Sequence, residues 1–202
     1  SATGTLSIIS AAAFSGGNDG SKACTNANYL KAMNAFESYD IDGFVFDGVA
    51  DKSLLDSALE WKNKCAEFGL DILVFGSTNE DSLAAANVIS QKFNDYSMHN
   101  SFAKTLEYDG VQYTMAEAMV WFAAHALGQK LTESMCNEET IFTDVQPRLT
   151  RTQLESALDA GTVVFTVTQG KVVVLDDVNT YKDYSSDAEK ILGNLRAVRF
   201  IN

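Results

Sequence analysis

Two runs, GFVFDG at 43–48 and LDILVFGS at 70–77, are apolar on successive residues and bounded by glycine or turn residues. A strand wetted on one side alternates apolar and polar residues. These do not, so each is expected to be covered on both faces. The segments between them repeat at helical spacing. TNANYLKAMNAFESY places Ala27, Leu30 and Met33 on one face, with Phe36 and Tyr39 continuing the series. DKSLLDSALEWKNKCAEFG turns Leu54, Leu55, Ala58, Leu59 and Cys65 inward and stops at Gly69. NEDSLAAANVISQKF offers Leu83, Ala86, Ile89 and Phe93 as a third inner stripe. Helix and buried strand in alternation predict an α/β fold with a mainly parallel central sheet flanked by helices.

The pattern changes after about residue 100. SFAKTLEYDGVQYT reads as a hairpin around Asp109-Gly110, and TVVFTVTQGKVVVLDDV as a second around Gln169-Gly170. Thr114 and Glu117 form a capping box for MAEAMVWFAAHALG, a helix apolar on nearly every side and therefore buried. The only proline, Pro147, separates the extended TIFTDV from a helix over QLESALDA that Gly161 ends. Two overlapping capping boxes, Thr150 with Gln153 and Thr152 with Glu155, compete for that helix start. The organisation expected is a linker or strand remnant at 1–20 and a core domain at 21–202. Within the core, an α/β part spans about 21–100 and a hairpin-and-helix part about 101–202.

Charge and cysteine content exclude several functions. The formal net charge is −12, and nucleic acid or an anionic membrane needs a basic surface instead. No segment approaches the ~20 apolar residues of a membrane span. SATGTLSIISAAAFSGG has no basic n-region, so it does not read as a signal peptide. Cys24, Cys65 and Cys136 are odd in number and widely spaced, which predicts buried free thiols in a reducing cytoplasm rather than disulfides or zinc ligands.

Catalytic chemistry finds little support. His125 lies mid-helix among alanine and phenylalanine, and His99 lies in the loop-like DYSMHNS; neither accompanies a nucleophile elbow. No phosphate-binding glycine loop is present, and the carboxylates from Asp40 to Glu60 lack calcium-loop spacing. One alternative has residues to name. Asp40-x-Asp42-Gly43 is the pairing of haloacid-dehalogenase-like phosphatases, in which one carboxylate attacks phosphorus and the other acts as acid and base beside magnesium. Ser77 with Thr78, and Asp176 with Asp177, echo that family's later motifs. Its nucleophile follows a buried strand, whereas Asp40 follows a helix and precedes one. Turn residues entering GFVF are the simpler reading. No catalytic, cofactor-binding or metal-ligating residue is assigned.

Several stretches, in order, resemble the contractile tail sheath proteins of bacteriophages, prophage-derived particles and related injection devices. These are NYLKAMNAFESYDIDGFVFDG, then YTMAEAMVWFAAHALGQKLTESMCNE, then DVQPRLTRTQLESALDAGTVVFTVTQGKVVVLDDVNTY, with RAVRFIN resembling the strand that closes the region. The resemblance covers about residues 18–202. It implies a structural subunit, with a central domain distantly like subtilisin in fold but without a protease triad. Such subunits stack as hexameric rings around an inner tube protein, joined by terminal arms that add strands to a neighbour's sheet. The sheath shortens to drive the tube through a cell envelope, without nucleotide, metal or cofactor. Its place is the virion tail, assembled in the bacterial host cytoplasm. The family's C-terminal domain is absent from these 202 residues, so the shortened chain is expected to be monomeric.

Overall fold

A computed structural model describes residues 24–130 and 133–183. The expected remnant at 1–20 and the closing strand at RAVRFIN lie outside the described residues. A five-stranded sheet forms the centre, in the order β1 (Gly43–Val45), β2 (Leu73–Gly76), β3 (Met98–Phe102), β7 (Thr162–Thr168), β8 (Lys171–Val174). The first four strands are parallel, and β8 turns back antiparallel to β7. A second sheet, ordered β5 (Val111–Tyr113), β4 (Thr105–Tyr108), β6 (Asp144–Gln146), is antiparallel. The α/β reading with hairpins in the later part therefore holds. Both hairpin turns fall where the sequence put them, with Asp109, Gly110, Gln169 and Gly170 all at positive φ.

The sheet alternates its side chains between two apolar layers. Leu73, Phe75, Val163 and Phe165 pack with Met115, Met119 and Phe122 of α4 (Met115–Gly128). On the other face, Val74 and Met98 pack with Leu55, Ala58 and Trp61 of α2 (Lys52–Glu67), and with Met33 of α1 (Asn26–Phe36). Further along that face, Phe102 and Val164 meet Leu83 and Ala86 of α3 (Leu83–Phe93) and Ala157 of α5 (Arg151–Ala160). Covered on both sides, β2 holds a uniformly apolar run with all four residues buried.

Local signals explain the helix ends. Thr114 and Glu117 close a reciprocal capping box on α4. Of the two competing boxes on α5, Thr150 with Gln153 is the one formed. Gly161 ends α5 at φ +74, and a Cβ there would sit 2.4 Å from the Asn179 carbonyl, so glycine is required on two counts.

Several expectations are corrected. Ala27, expected on the inner face of α1, is exposed, and Ile89 and Phe93 of α3 are half-buried. Phe36 and Tyr39 do not continue the inner stripe of α1 but stand 51% and 62% exposed, Phe36 as the last residue of the helix and Tyr39 beyond it. β1 is half-buried rather than buried, since it is an edge strand. The loop expected around His99 is β3, buried along its whole length. Of the three free thiols only Cys65 is buried, and its burial raises its pKa, while Cys24 and Cys136 are exposed.

Candidate assembly surface

The five-stranded sheet has two unlike edges. At β8, residues 137–140 run antiparallel alongside: Asn137 N–H donates to the Val174 carbonyl, Val174 N–H to Glu138, and Thr140 N–H to Val172. Buried Met135 and Phe142 anchor the two ends of this segment in the main core. Asp177 holds its beginning, accepting from Ser134 Oγ at 3.2 Å and Met135 N at 3.3 Å. At the opposite side β1 pairs, among the described residues, only with β2. An edge strand with unpaired backbone groups is a template for another chain.

Beside β1 lies an apolar groove of about 200 Å³. Tyr29, Met33 and Phe36 supply the α1 wall, and Ile41, Phe44 and Phe46 the β1 side. Its floor is an edge-to-face aromatic cluster: Phe44 lies 5.5 Å from Phe46 and 5.8 Å from Trp61, and Tyr29 5.5 Å from Phe46. Phe36, which lines the groove, lies 6.2 Å from the Tyr39 ring. The segment carrying these residues, 29–47, contains Glu37, Asp40, Asp42 and Asp47 against the single basic residue Lys31.

Residues singled out for chemistry are dispersed. Asp40 and Asp42 precede β1 at the amino end of the parallel strands, and Asp40 is exposed. Asp176 and Asp177 follow the antiparallel β8, which brings them to the same end of the sheet but to its opposite edge. That is four strand spacings, roughly 19 Å, away. Ser77 and Thr78 follow β2 at the carboxyl end. Ser77 Oγ donates to the Ser101 carbonyl, so it serves as strand cross-bracing. The pieces of the phosphatase reading are not brought together. Among the described residues no three His, Cys, Asp or Glu side chains cluster as a metal site. No described helix is long and apolar enough to cross a membrane.

Both histidines have structural surroundings. His99 is buried, stacks on Phe75 at 4.9 Å, and places Nδ1 3.2 Å from the Val178 carbonyl. His125 is half-buried, stacked on Trp121 at 5.0 Å with Nε2 3.4 Å from Glu138. Next to His99, Asn100 donates to Ser90 Oγ and Ser101 to the Gly76 carbonyl, so β3 carries a polar centre whose groups bond to the elements on either side. A buried cation was not foreseen. Lys62, 1% exposed, binds both carboxylate oxygens of Asp95 at 3.1 Å and lies 4.7 Å from the centre of the Tyr96 ring.

The family model described as phage tail sheath protein central domain matches residues 22–180. A solved sheath tail protein of Desulfitobacterium hafniense is 26% identical with a TM-score of 0.78, covering 99% of this chain and 45% of its own. A sheath tail protein of Listeria innocua, 20% identical with a TM-score of 0.69 over 86% of this chain and 40% of its own, shares the fold. The chain thus spans less than half the length of either solved protein. No curated protein sequence matches it.

Proposed function

The chain belongs to the phage tail sheath protein family, and from that premise we propose that it is the central domain of a contractile sheath subunit. Copies assemble as stacked hexameric rings around an inner tube protein, and shortening of the stack drives the tube through a cell envelope. The observation that carries this reading is the match of residues 22–180 to the sheath central domain, on the fold that solved sheath proteins share. The domain works by being held and moved, not by catalysis, and needs no metal or cofactor. Residues 21–202 form its core, with an α/β part to about 100 and a hairpin part thereafter, and residues 1–20 link it to what precedes. Its place is the virion tail, after assembly in the host cytoplasm.

The β1 edge, which among the described residues pairs only with β2, supports assembly by strand addition, since an added strand gains backbone hydrogen bonds along one side. The acidic surface disfavours nucleic acid as a partner. Electron microscopy of the full-length parent protein beside this 202-residue chain tests the reading. Tubes from the parent and none from the isolated chain are expected. A parent that stays a small soluble species under conditions in which sheaths polymerise overturns it.

A further inference from the structure

We propose that the recess between α3 and α5 is a binding site for a guanidinium group, the head of an arginine side chain or of a small guanidine. The two helices share an apolar cluster that includes Leu83, Ala86 and Ala157. Between them lies a recess of about 460 Å³, with Asn87 and Gln91 on the α3 wall and Glu155, Ser156 and Asp159 on the α5 wall.

A buried amide gives the first indication. Asn87 is only 8% exposed. Its Nδ2 donates to the Ser156 carbonyl at 3.2 Å and lies 3.1 Å from Ser156 Oγ. A carbonyl only accepts, so this bond fixes the amide with its nitrogen toward Ser156 and leaves Oδ1 at the other end. That oxygen is buried and, among the described residues, meets no donor. A buried acceptor without a donor is costly, and native proteins rarely leave one so. Asn87 lines the recess, so an occupant of that recess can supply the missing donor.

Charge gives the second. Glu155 and Asp159 are exposed and one turn apart on α5, a spacing that sets like charges side by side. Asp159 also lies in the last turn, where the helix carbonyls already present negative charge and no basic residue offsets it. α3 and α5 carry one basic residue each, Lys92 and Arg151. Among the described residues neither of these, nor any other group, forms an ion pair or hydrogen bond with either carboxylate. The recess therefore presents two unrelieved negative charges on one wall and an orphaned acceptor on the other.

Such a lining selects a cation with donors in several directions. Guanidinium is planar, carries a fork of N–H groups and is weakly hydrated. It can pair with an α5 carboxylate and still turn an N–H toward an α3 amide oxygen. A lysine ammonium is a compact, strongly hydrated point charge and gives up more on entering. Calcium needs about six to eight oxygens at roughly 2.3–2.6 Å. Among the described residues no three His, Cys, Asp or Glu side chains gather to begin such a set. Neither the amide nor the carboxylates depend on ring assembly, so the site is independent of the sheath reading.

The test titrates the isotope-labelled 202-residue chain with acetyl-Gly-Arg-Gly-amide and with methylguanidinium, reading the Asn87 and Gln91 side-chain amides by nuclear magnetic resonance. Controls are the same peptide with lysine, the same peptide with citrulline (a neutral isostere of arginine), and calcium chloride. Saturable shifts confined to α3 and α5 are expected with the arginine peptide and none with citrulline, while the lysine peptide binds at least about threefold more weakly. Glu155→Gln and Asp159→Asn should each weaken binding about two- to fivefold, the range of one exposed ion pair, and added salt should weaken it too. Without ligand, Asp159→Asn should raise the unfolding midpoint, since it removes an unrelieved charge from a helix end, and that rise also establishes that the variant folds.

Absence of saturation by either guanidinium probe, equal binding of the lysine or citrulline peptide, the same shifts with calcium, or shifts centred away from α3 and α5 overturns the proposal. So does a lowered midpoint in Asp159→Asn, which shows a carboxylate already paired. Tighter binding of the arginine peptide than of methylguanidinium assigns the site to an arginine of a protein, and the reverse assigns it to a free guanidine; both uphold the guanidinium site. None of these results bears on tube formation by the parent protein, so the two readings fail separately.

Discussion

Replacing Lys62 by methionine takes one charge out of the interior and leaves its partner behind. Lys62 on α2 reaches Asp95, in the turn before β3, and so ties a helix to the entry of the central strand. At 3.1 Å and an effective dielectric near 20, the Coulomb attraction is about 5 kcal/mol. Desolvating the two ions costs several kcal/mol each, so the intact pair contributes far less than that figure. The single substitution is a different matter. It keeps the aliphatic stem, and hence the packing, but strands the Asp95 carboxylate. For a fully buried pair such a break costs about 3–5 kcal/mol. The Asp95 side chain is 16% exposed and still accepts from Ser97 N at 2.7 Å, which moves the expectation down to about 2–3 kcal/mol. In a chain of this size that lowers the unfolding midpoint by roughly 4–12 °C. Lys62→Met/Asp95→Asn removes both charges and should recover to within about 1 kcal/mol of the parent. Guanidinium unfolding of the four proteins, followed by circular dichroism, gives the coupling directly. A single variant within about 0.5 kcal/mol of the parent, or a coupling that small, refutes the reasoning.

Three further outcomes are expected. Thr150→Ala should cost about 1 kcal/mol, while Thr152→Ala stays within about 0.5 kcal/mol, because only Thr150 caps α5; equal losses in urea titrations contradict that choice. Burial raises the pKa of Asp176, with the neighbouring Asp177 charge adding to the shift. A carboxylate raised on folding contributes stability below its unfolded pKa, near 3.9, and loses it as pH rises through the folded value. Asp176→Asn should therefore raise the melting temperature at pH 7, with the gain vanishing below about pH 4; a gain unchanged at acid pH rules out titration of Asp176 as the cause. Magnesium-dependent phosphatase assays should leave parent and Asp40→Asn alike at background, and turnover lost in the variant would revive the enzymatic alternative.

What could be read in the sequence was whatever depends on near neighbours along the chain. Gly-bounded apolar runs gave β1 and β2, positive-φ pairs gave the hairpins, and Thr114 with Glu117 gave the start of α4. β3 escaped because its centre is His99, Asn100 and Ser101, polar residues that look like loop. They are tolerated in the core only because Ser90, the Gly76 carbonyl and the Val178 carbonyl lie within hydrogen-bonding distance in space, at separations no local pattern records. Asn87 and Ser90 likewise take buried places on α3, while Ile89 and Phe93 are only half-buried. The groove was illegible for the same reason: α1, β1 and α2 each supply part of it, and Phe36 read as core until the end of its helix was fixed. The Lys62–Asp95 pair spans 33 residues and carried no local signal.

The covered edge at β8 also limits how copies can join. Joining β1 of one molecule to β8 of the next repeats without limit, which is how an exposed pair of edges leads to fibres. With residues 137–140 already laid along β8, that direct joint is blocked among the described residues.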